Sequence, residues 1–336
     1  MVYKASRLYY EDDLTFTEIG KKLKLSRFQV ANIIKTAKEI GLVRIIIDEK
    51  FIDKNLKTAT LLEDIFKIDK VLVVNNENLP ESEVKRKIGL EAANLLVNII
   101  KDNDVISLTT SSTVKAIADS IYNIGKIKNI KIIEANGGSN LSYSNSVHNI
   151  SRKFSKVFNA PHFTINAPII VDSIETKRVL LGEKNIKNTY KMFHEINILI
   201  FGIGTFYPKI NKLMIESGDL HKNEFLELKR LYAAGNILFY YFDIEGNFLN
   251  TSFDNRIICL PKENIKDISY KVAAVFGHEK KYGVLGALRT GLINFLILDN
   301  VLAEKILEIK DLSQKEFKKK CGEDINFNDY INQMML

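Results

Sequence analysis

Two helix starts close together near the N-terminus constrain the fold of this chain more than any other feature. Thr15 and Glu18 have the spacing of a capping box, in which a hydroxyl and a longer polar side chain bond the backbone N–H groups of a helix start. Ser26 and Gln29 repeat this spacing, and apolar residues at helical intervals follow each start. We therefore predict two short helices joined by a tight turn, the second of which stops at Gly41.

The second helix of this pair has the geometry of a helix that enters the major groove of DNA. Its inner face is apolar at Val30, Ile34 and Ala37, and most of its other side chains are able to contact phosphates or base edges. An ordinary pair of helices in a small bundle is the alternative, but two capping boxes in a basic chain favour DNA binding. The predicted DNA-contacting residues are Arg27, Phe28, Gln29, Asn32 and Lys35.

The length and charge of the chain indicate more than a DNA-binding module. Its 336 residues are 46% hydrophobic and 26% charged, which allows a large globular domain beside the small one. The net charge is +7, and residues 1–50 hold ten Lys or Arg against seven Asp or Glu, which is compatible with attraction to phosphates. We predict a helix-turn-helix domain at 1–52, an effector-binding and oligomerisation domain at 53–310 and a C-terminal tail at 311–336.

Several classes of protein are disfavoured by what the sequence lacks. Cys259 and Cys321 are far apart, so neither a disulfide framework nor a thiolate metal site is indicated. The histidines have no metal-ligand spacing, and no catalytic triad pattern is visible. No targeting segment or apolar run of membrane length is seen. We expect a cytoplasmic protein with no cofactor, metal or membrane partner.

From residue 70 onward, short apolar runs alternate with helical stretches, as is typical of a mostly parallel sheet with helices on both faces. We therefore predict a Rossmann-like α/β domain that binds its ligand at the C-terminal ends of the strands. A further short run, 43–47, is predicted to start a wing on the DNA-binding domain. The predicted strands of the large domain are 70–74, 104–108, 130–134, 163–166, 196–201, 237–242, 269–275 and 294–298, and its predicted helices include 56–66, 81–100, 113–122, 145–158 and 279–290.

Polar and glycine-containing segments lie at the ends of these strands. Thr109-Thr-Ser-Ser-Thr113 leads into a helix, where hydroxyls and backbone N–H groups together bind anions. Thr113 alone would serve as the helix cap, so five successive hydroxyl residues indicate more than a cap. Lys280 follows a glycine turn and is placed to neutralise an anion. The residues that we assign to this site are Thr110, Ser111, Ser112, Thr113, Asn136, Gly137, Gly138, Gly202, Gly204, Asn236 and Lys280.

Motifs at both ends of the chain carry a family resemblance. The helix-turn-helix segment is preceded by Arg7-Leu-Tyr-Tyr10 and followed by Gly41-Leu-Val-Arg-Ile45. The C-terminal half holds Gly277-His-Glu-Lys280 and Gly286-Ala-Leu-Arg-Thr-Gly-Leu-Ile-Asn-Phe-Leu-Ile-Leu-Asp299. Together they resemble the SorC family of bacterial sugar-responsive transcriptional regulators, with the related central glycolytic gene and deoxyribonucleoside regulators, over nearly the whole chain.

This resemblance implies a large domain related to ribose-5-phosphate isomerase and glucosamine-6-phosphate deaminase that senses a phosphorylated sugar. It places the phosphate loop at residues 110–113 and further ligand contacts at Asn136, Ser146, Asn236 and Lys280. The loop usually carries glycine in the family and here has none, while Asn136 stands where some members have arginine and Asn236 where an acid is often seen. Because the arginine charge is missing, the resemblance implies a monophosphate or a smaller sugar acid rather than a bisphosphate.

Three classes of protein remain open, of which a regulator whose affinity for operator DNA is controlled by a phosphorylated sugar is favoured. An isomerase- or deaminase-like enzyme with a DNA-binding head is the alternative. The related deaminases follow Gly-Ile-Gly with an Asp-Gly-His segment, whereas Thr205-Phe-Tyr-Pro208 follows Gly202-Ile-Gly204 here, without a group for proton transfer. A DNA-binding protein whose large domain only oligomerises is the third. One recognition helix buries too little surface for tight operator binding, so we expect a homodimer or homotetramer.

Overall fold

The computed structural model describes residues 1–43, 53–76, 79–122, 127–138, 146–208, 214 and 219–323. The chain divides into two compact units, Met1–Asp53 and Lys54–Leu336. Buried apolar residues form separate clusters in the two units, so each has a hydrophobic core of its own. Each unit therefore has the anatomy of a domain.

The first unit consists of the helices α1 (Val2–Tyr10), α2 (Phe16–Leu23) and α3 (Arg27–Glu39). Both predicted capping boxes are present, with Thr15 capping α2 and Ser26 capping α3. Each hydroxyl accepts the N–H of the residue three positions on, whose side chain accepts the N–H of the capping residue. These reciprocal bonds satisfy N–H groups that a helix start otherwise leaves without partners, which is why both helices begin where predicted.

The turn between α2 and α3 is tight. Lys24 takes the left-handed conformation, and a Cβ atom on Gly20 would lie 2.6 Å from the carbonyl oxygen of Leu25. The close approach of these two backbones therefore requires glycine at position 20. At its other end α3 stops before Gly41, whose φ is +73°, as predicted. The core of the unit consists of Ala5, Ile19, Val30 and Ile34.

Two sequence predictions fall wholly or partly on residues outside the described ranges. The predicted wing strand at 43–47 lies outside them except for Val43. The predicted tail contains the helix Gln314–Glu323, and residues 324–336 lie outside the described ranges.

The second unit is built around a seven-stranded parallel sheet, in agreement with the predicted fold class. Its strands stand in the spatial order β1-β10-β9-β5-β2-β3-β4, with β6, β7 and β8 forming a separate antiparallel sheet. In chain order the strands are β1 (Lys70–Val74), β2 (Val105–Leu108), β3 (Lys131–Glu134), β4 (His162–Phe163), β5 (Ile198–Phe201), β6 (Gly204–Thr205), β7 (Gly235–Ile237), β8 (Tyr240–Phe242), β9 (Tyr270–Ala274) and β10 (Phe295–Asp299).

Helices cover both faces of the large sheet, since buried residues of its strands divide between two apolar clusters. One cluster joins α5, α6 and α7 to the sheet, and the other lies on the opposite face. The helices of the unit are α4 (Lys54–Phe66), α5 (Glu81–Ile99), α6 (Ser112–Ser120), α7 (Val147–Phe158), α8 (Ile174–Gly182), α9 (Lys184–Lys191), α10 (Lys222–Arg230), α11 (Lys262–Ile265), α12 (Lys281–Arg289), α13 (Asn300–Glu308) and α14 (Gln314–Glu323). No helix within the described ranges is both long and apolar enough to cross a membrane.

The strand predicted at 237–242 is wrong, because this apolar run is a hairpin. Strands β7 and β8 pair antiparallel, with Ile237 opposite Tyr240. Leu238 and Phe239 form the turn with φ of +50° and +68°. A two-residue hairpin turn of type I′ needs positive φ at both positions and usually contains glycine or asparagine. Two large apolar residues occupy them here, so no turn signal interrupted the run.

Candidate functional site

The outer face of α3 presents the residues that were predicted to contact DNA. Arg27, Phe28, Asn32 and Lys35 are exposed, and Phe28 retains 74% of its accessible surface. A phenylalanine in a major groove packs against thymine methyl groups. Gln29 is also exposed, but its Oε1 atom accepts the N–H of Ser26 at 2.8 Å and so belongs to the capping box.

In the second unit, a polar cavity of about 490 Å³ lies at the C-terminal ends of the parallel strands. This volume suits a small metabolite. Its walls come from the loop after β1, the first turns of α5 and α6, and the segment after β9. The lining residues are Asn76, Glu81, Lys85, Ser112, Thr113, Phe276, Gly277, His278, Glu279 and Lys280.

The first turn of α6 brings helix-start N–H groups to this cavity. Ser111 caps the helix by accepting the N–H of Thr113 at 3.3 Å, and Ser112 lines the cavity. Thr113 is therefore not the cap that the sequence suggested. Its hydroxyl is buried, donates to the Ala274 carbonyl at 2.8 Å and lies 2.9 Å from the Ser111 hydroxyl. The Thr113 hydroxyl thus links α6 to β9, while the helix start itself stays available to an anion.

Two further predicted residues shape the hydroxyl loop, which is the segment 109–113 that leads into α6. The Oδ1 atom of Asn136 accepts the N–H of Thr110 at 3.1 Å, and its Nδ2 donates to the Gly137 carbonyl. A Cβ atom on Gly202 would lie 2.4 Å from the Ser111 hydroxyl oxygen. The buried Asn136 side chain therefore positions the loop, and Gly202 leaves room for it.

Asp299 fixes the opposite wall. Its Oδ2 atom accepts the N–H of Gly277 at 3.0 Å, and its Oδ1 accepts from the Asn76 side chain at 2.9 Å and from the N–H of Leu302 at 3.0 Å. The Asn300 side chain accepts the N–H of Asn76 at 2.9 Å. One fully buried carboxylate thus holds the loops that follow β1 and β9 against the start of α13.

Lys280 carries the cationic charge of this wall. The residue lies in a short 3-10 turn, His278–Lys280, ahead of α12, so the predicted helix at 279–290 begins two residues later than expected. Within the described ranges its ammonium group makes no ion pair or hydrogen bond. Burial of this ammonium lowers the pKa of Lys280 below 10.5, the positive charge of Lys85 lowers it further, and the carboxylate of Glu279 opposes both effects.

Lys85 is a second lysine in the cavity, but its charge is already compensated. Its ammonium group contacts the Glu81 carboxylate one helical turn earlier and lies 5.6 Å from the centre of the Phe276 ring. The carboxylate offsets this charge, and the ring faces it as in a cation–π contact. Of these two lysines, Lys280 therefore has the positive charge that an anionic ligand would stabilise more.

Of the twelve residues predicted for this site, Ser112, Thr113 and Lys280 line the cavity and nine do not. Four of the nine, Thr110, Ser111, Asn136 and Gly202, form or support the loop that leads into α6, and the other five lie outside that loop. Gly137 and Gly138 pack against the backbone at 167–169, and Ser146 caps α7. Gly204 and Asn236 pair across β6 and β7, where a Cβ atom on the glycine would lie 2.4 Å from the asparagine side chain. Their geometry indicates roles in the frame of the site, and ligand contacts at these positions stay predictions.

Several cavity residues carried no sequence signal. Asn76, Glu81 and Lys85 lie on the loop after β1 and on α5, far along the chain from Lys280. They reach the cavity because β1 lies at the edge of the sheet beside β10, which in turn pairs with β9. This strand order is not readable from apolar periodicity.

Comparison with known proteins agrees with this architecture. Residues 51–308 match the family model described as "Putative sugar-binding domain". The chain belongs to this family. The matched residues include all of the cavity wall and the whole parallel sheet.

Relatives of known name match almost the full length of the chain. The sorbitol operon regulator of Klebsiella pneumoniae is 22% identical over 92% of this chain and 98% of its own length. The deoxyribonucleoside regulator of Bacillus subtilis is 24% identical over 90% and 96%. The transcriptional regulator LsrR of Escherichia coli K12 is 26% identical over 91% and 94%. All three are named as regulators, and the resemblance to the SorC family is confirmed.

Solved structures show the same fold. The full-length sorbitol operon regulator SorC of Klebsiella pneumoniae superposes with a TM-score of 0.72, at 22% identity, over 91% of this chain and 97% of that chain. A transcriptional regulator of Streptococcus pneumoniae superposes with a TM-score of 0.70, at 23% identity, over 76% and 98%. At these identities the likeness establishes the fold.

Proposed function

We propose that the protein is a transcriptional regulator of the SorC type that binds operator DNA through α3 and whose affinity for that DNA is controlled by a phosphorylated sugar. The large unit belongs to a sugar-binding domain family, and full-length relatives are operon regulators. The small unit supplies a capped helix with an exposed polar and aromatic outer face.

One observation supports a phosphorylated rather than a neutral sugar as the ligand. The half-buried Lys280 side chain lines the same cavity as Ser112 at the start of α6, and desolvation lowers the pKa of its ammonium group. A helix start and a desolvated cation that is not neutralised by an ion pair together favour a compact anion over a neutral sugar. Asn136 stands where some SorC regulators have arginine, so this chain lacks that arginine as a partner for a second phosphate, which favours a monophosphate.

The ligand would act by binding one arrangement of the regulator more tightly than another, since only a difference in affinity shifts an equilibrium. A homodimer or homotetramer on a two-fold or repeated operator is part of this proposal, because one recognition helix buries too little surface. The proposal predicts that sugar phosphate changes DNA affinity and that DNA reciprocally changes sugar-phosphate affinity.

The test combines a melting screen with DNA selection on the full chain. Hexose and pentose monophosphates, the matching bisphosphates, the free sugars and inorganic phosphate are compared for their effect on the melting temperature. A ligand at one hundred times its Kd stabilises by about 2.7 kcal/mol, so a specific monophosphate raises the melting temperature clearly. Operator fragments are then selected from genomic DNA and their binding is measured with and without that monophosphate.

A monophosphate that stabilises the protein and alters operator binding supports the proposal. Stabilisation without any effect on DNA would leave a sugar-phosphate-binding protein that is not a regulator. Conversion of the monophosphate to an isomerised or deaminated product, followed by NMR, would show an enzyme instead. A protein that selects no DNA sequence and binds no sugar phosphate would overturn both halves of the proposal.

A further inference from the structure

Three side chains that can bind a metal ion meet at the edge of the parallel sheet beside β4. Glu134 ends β3, His148 lies in the first turn of α7, and His162 begins β4. The Oε1 atom of Glu134 lies 3.2 Å from Nδ1 of His148 and 3.2 Å from Nε2 of His162. The three potential ligand atoms all lie within 4.8 Å of one another.

The fold itself produces this meeting. Strands β3 and β4 are parallel neighbours, with Ile132 opposite His162. Residues two apart on a strand share a face, so Glu134 points to the same side as Ile132. Helix α7 packs against β3 on this side and places His148 at the strand end. The ligands are far apart along the chain, which is why their spacing indicated no metal site.

The carboxylate of Glu134 is held in a fixed orientation. Its side chain is only 3% exposed, and its Oε2 atom accepts the N–H of Ile165 at 2.8 Å. In metal sites, a hydrogen bond to one carboxylate oxygen orients the group and leaves its second oxygen to bind the ion. Oε1 is the oxygen that faces both imidazoles.

A hydrogen-bonded cluster without a metal does not satisfy all of these atoms. Nε2 of His162 is buried and has no hydrogen-bond partner within the described part of the chain, although Glu134 Oε1 lies 3.2 Å away. A buried polar atom without a hydrogen-bond partner is rare in folded proteins and requires an explanation, which a bound ion would supply. Two ligands about 2.0–2.1 Å from one tetrahedral ion stand about 3.3 Å apart, close to the two observed 3.2 Å separations.

We propose that Glu134, His148 and His162 bind one divalent transition-metal ion of the Zn²⁺ class. Two imidazole nitrogens and one carboxylate oxygen are the ligand types that Zn²⁺ accepts, and three protein ligands leave a fourth position for water. His148 is 55% exposed, so that fourth position opens towards solvent. The ion would join the end of β3 to the start of α7. Its ligand Glu134 lies two residues before Asn136, whose side chain bonds the hydroxyl loop.

None of the three ligands lines the polar cavity, so this site stands apart from the proposed effector site. Loss of sugar-phosphate binding would not count against the metal, and loss of metal binding would not count against the regulator. The two proposals can therefore fail independently.

The full-length protein, first treated with a chelator, is titrated with Co²⁺, whose visible absorption reports a tetrahedral site with nitrogen and oxygen ligands. We expect one Co²⁺ per chain, its displacement by one equivalent of Zn²⁺, and a higher melting temperature with either ion. His148→Asn, His162→Asn and Glu134→Gln should each weaken binding by about ten-fold or more. The matched control His194→Asn changes an exposed histidine outside the cluster and should bind as the parent does.

Absence of the absorption band in the parent protein would overturn the proposal. It would also be overturned by the His148→Asn/His162→Asn double variant binding Co²⁺ as tightly as His194→Asn, because the ion would then sit elsewhere. Glu134→Gln keeps a side-chain oxygen that can accept the N–H of Ile165, so this variant should fold. If Glu134→Gln does not fold, the two histidine variants still test the site.

Discussion

The side-chain oxygen of Gln29 accepts the backbone N–H of Ser26 at 2.8 Å and closes the capping box of α3. A glutamine that reads adenine must use both its oxygen and its amide nitrogen. The capping box already uses one lone pair of this oxygen and folds the side chain back onto the helix start, so we expect Gln29 to act in the cap rather than in base reading. On the proposed function, base reading would then rest on the neighbours of Gln29 on the exposed face of α3.

Gln29→Ala should therefore reduce the stability of the first unit by about 0.5–2 kcal/mol, the usual effect of losing a cap contact, without changing which bases are preferred. Gln29→Glu is the matched control, because glutamate closes a capping box equally well. Circular dichroism melts and binding to a set of operator variants measure both quantities. A changed base preference in Gln29→Ala, at unchanged stability, would show that this side chain reads DNA after all.

Asn32 and Lys35 should affect DNA binding in different ways. Asn32 lies on the exposed face of α3, and loss of a bidentate base contact costs about 1–3 kcal/mol at one operator position. Lys35→Ala should instead weaken all sequences alike and reduce the salt slope by about one, as for a phosphate contact. Titrations of operator and random DNA at several salt concentrations separate the two effects. Equal losses on both DNAs for Asn32→Ala would contradict its assignment.

Lys280→Met should abolish the sugar-phosphate response without destabilising the free protein. Lys280 is half-buried and its ammonium group forms no ion pair among the described residues, so the replacement removes a partly desolvated charge. A charge-assisted contact contributes about 1.5–3 kcal/mol, which corresponds to ten-fold or more in affinity. Lys281→Met is the neighbouring control, since that ammonium lies over the Tyr282 ring and outside the cavity wall. Melting curves with and without the monophosphate measure both effects, and equal responses of the two variants would contradict the role of Lys280.

The lowered pKa of Lys280 predicts how both ligand binding and stability depend on pH. Affinity for a sugar phosphate should fall as pH rises through this lowered value, before the 10.5 of an ordinary lysine is reached. Between these two pH values the unfolded chain holds more protons than the folded one, so the contribution of Lys280 to stability rises with pH. Calorimetry above pH 7, where the phosphate is already a dianion, measures the affinity. A flat profile in the parent protein, or the same profile in Lys280→Met, would contradict the assignment.

Gly202→Ala should impair the anion site through crowding alone. The new Cβ atom would lie 2.4 Å from the Ser111 hydroxyl oxygen and 2.9 Å from the Ser111 Cβ, so the cap of α6 must move. We expect a loss of stability of about 1–3 kcal/mol together with weaker sugar-phosphate binding. Gly182→Ala at the end of α8 is the control, since nothing lies within 4 Å of its added Cβ. Urea unfolding and ligand titration of both variants test this, and full binding in Gly202→Ala would contradict it.

The parts of the structure that follow from local patterns were predictable from the sequence. Capping boxes set the starts of α2 and α3, and buried apolar runs set most of the parallel strands. The hairpin at Leu238 and Phe239 was missed because its turn has no glycine or asparagine. Asn76 and Lys85 were missed because only the strand order brings β1 near β9.

The roles within the hydroxyl loop also depend on contacts that no spacing reveals. Thr113 and Ser111 are equally good caps by residue type, and the choice falls on Ser111 because the Thr113 hydroxyl bonds the Ala274 carbonyl. The partner of Thr113 is Ala274 on β9, which lies 161 residues further along the chain. Long-range pairing of this kind decides which hydroxyls face a ligand and which hold the frame.

The bonds of Asp299 have a consequence for the time at which the sensor becomes functional. This carboxylate joins Asn76 to the end of β10 across 223 residues of sequence, and it also holds Gly277. Contacts of such high sequence separation form late in folding, because the intervening loop must be closed first. A chain still on the ribosome therefore lacks the complete cavity wall until residue 299 has emerged, however well its N-terminal helices are already folded. If the proposed function holds, the DNA-binding unit is made first and its control last, so every newly made copy passes through a stage in which it has a recognition helix and no effector site.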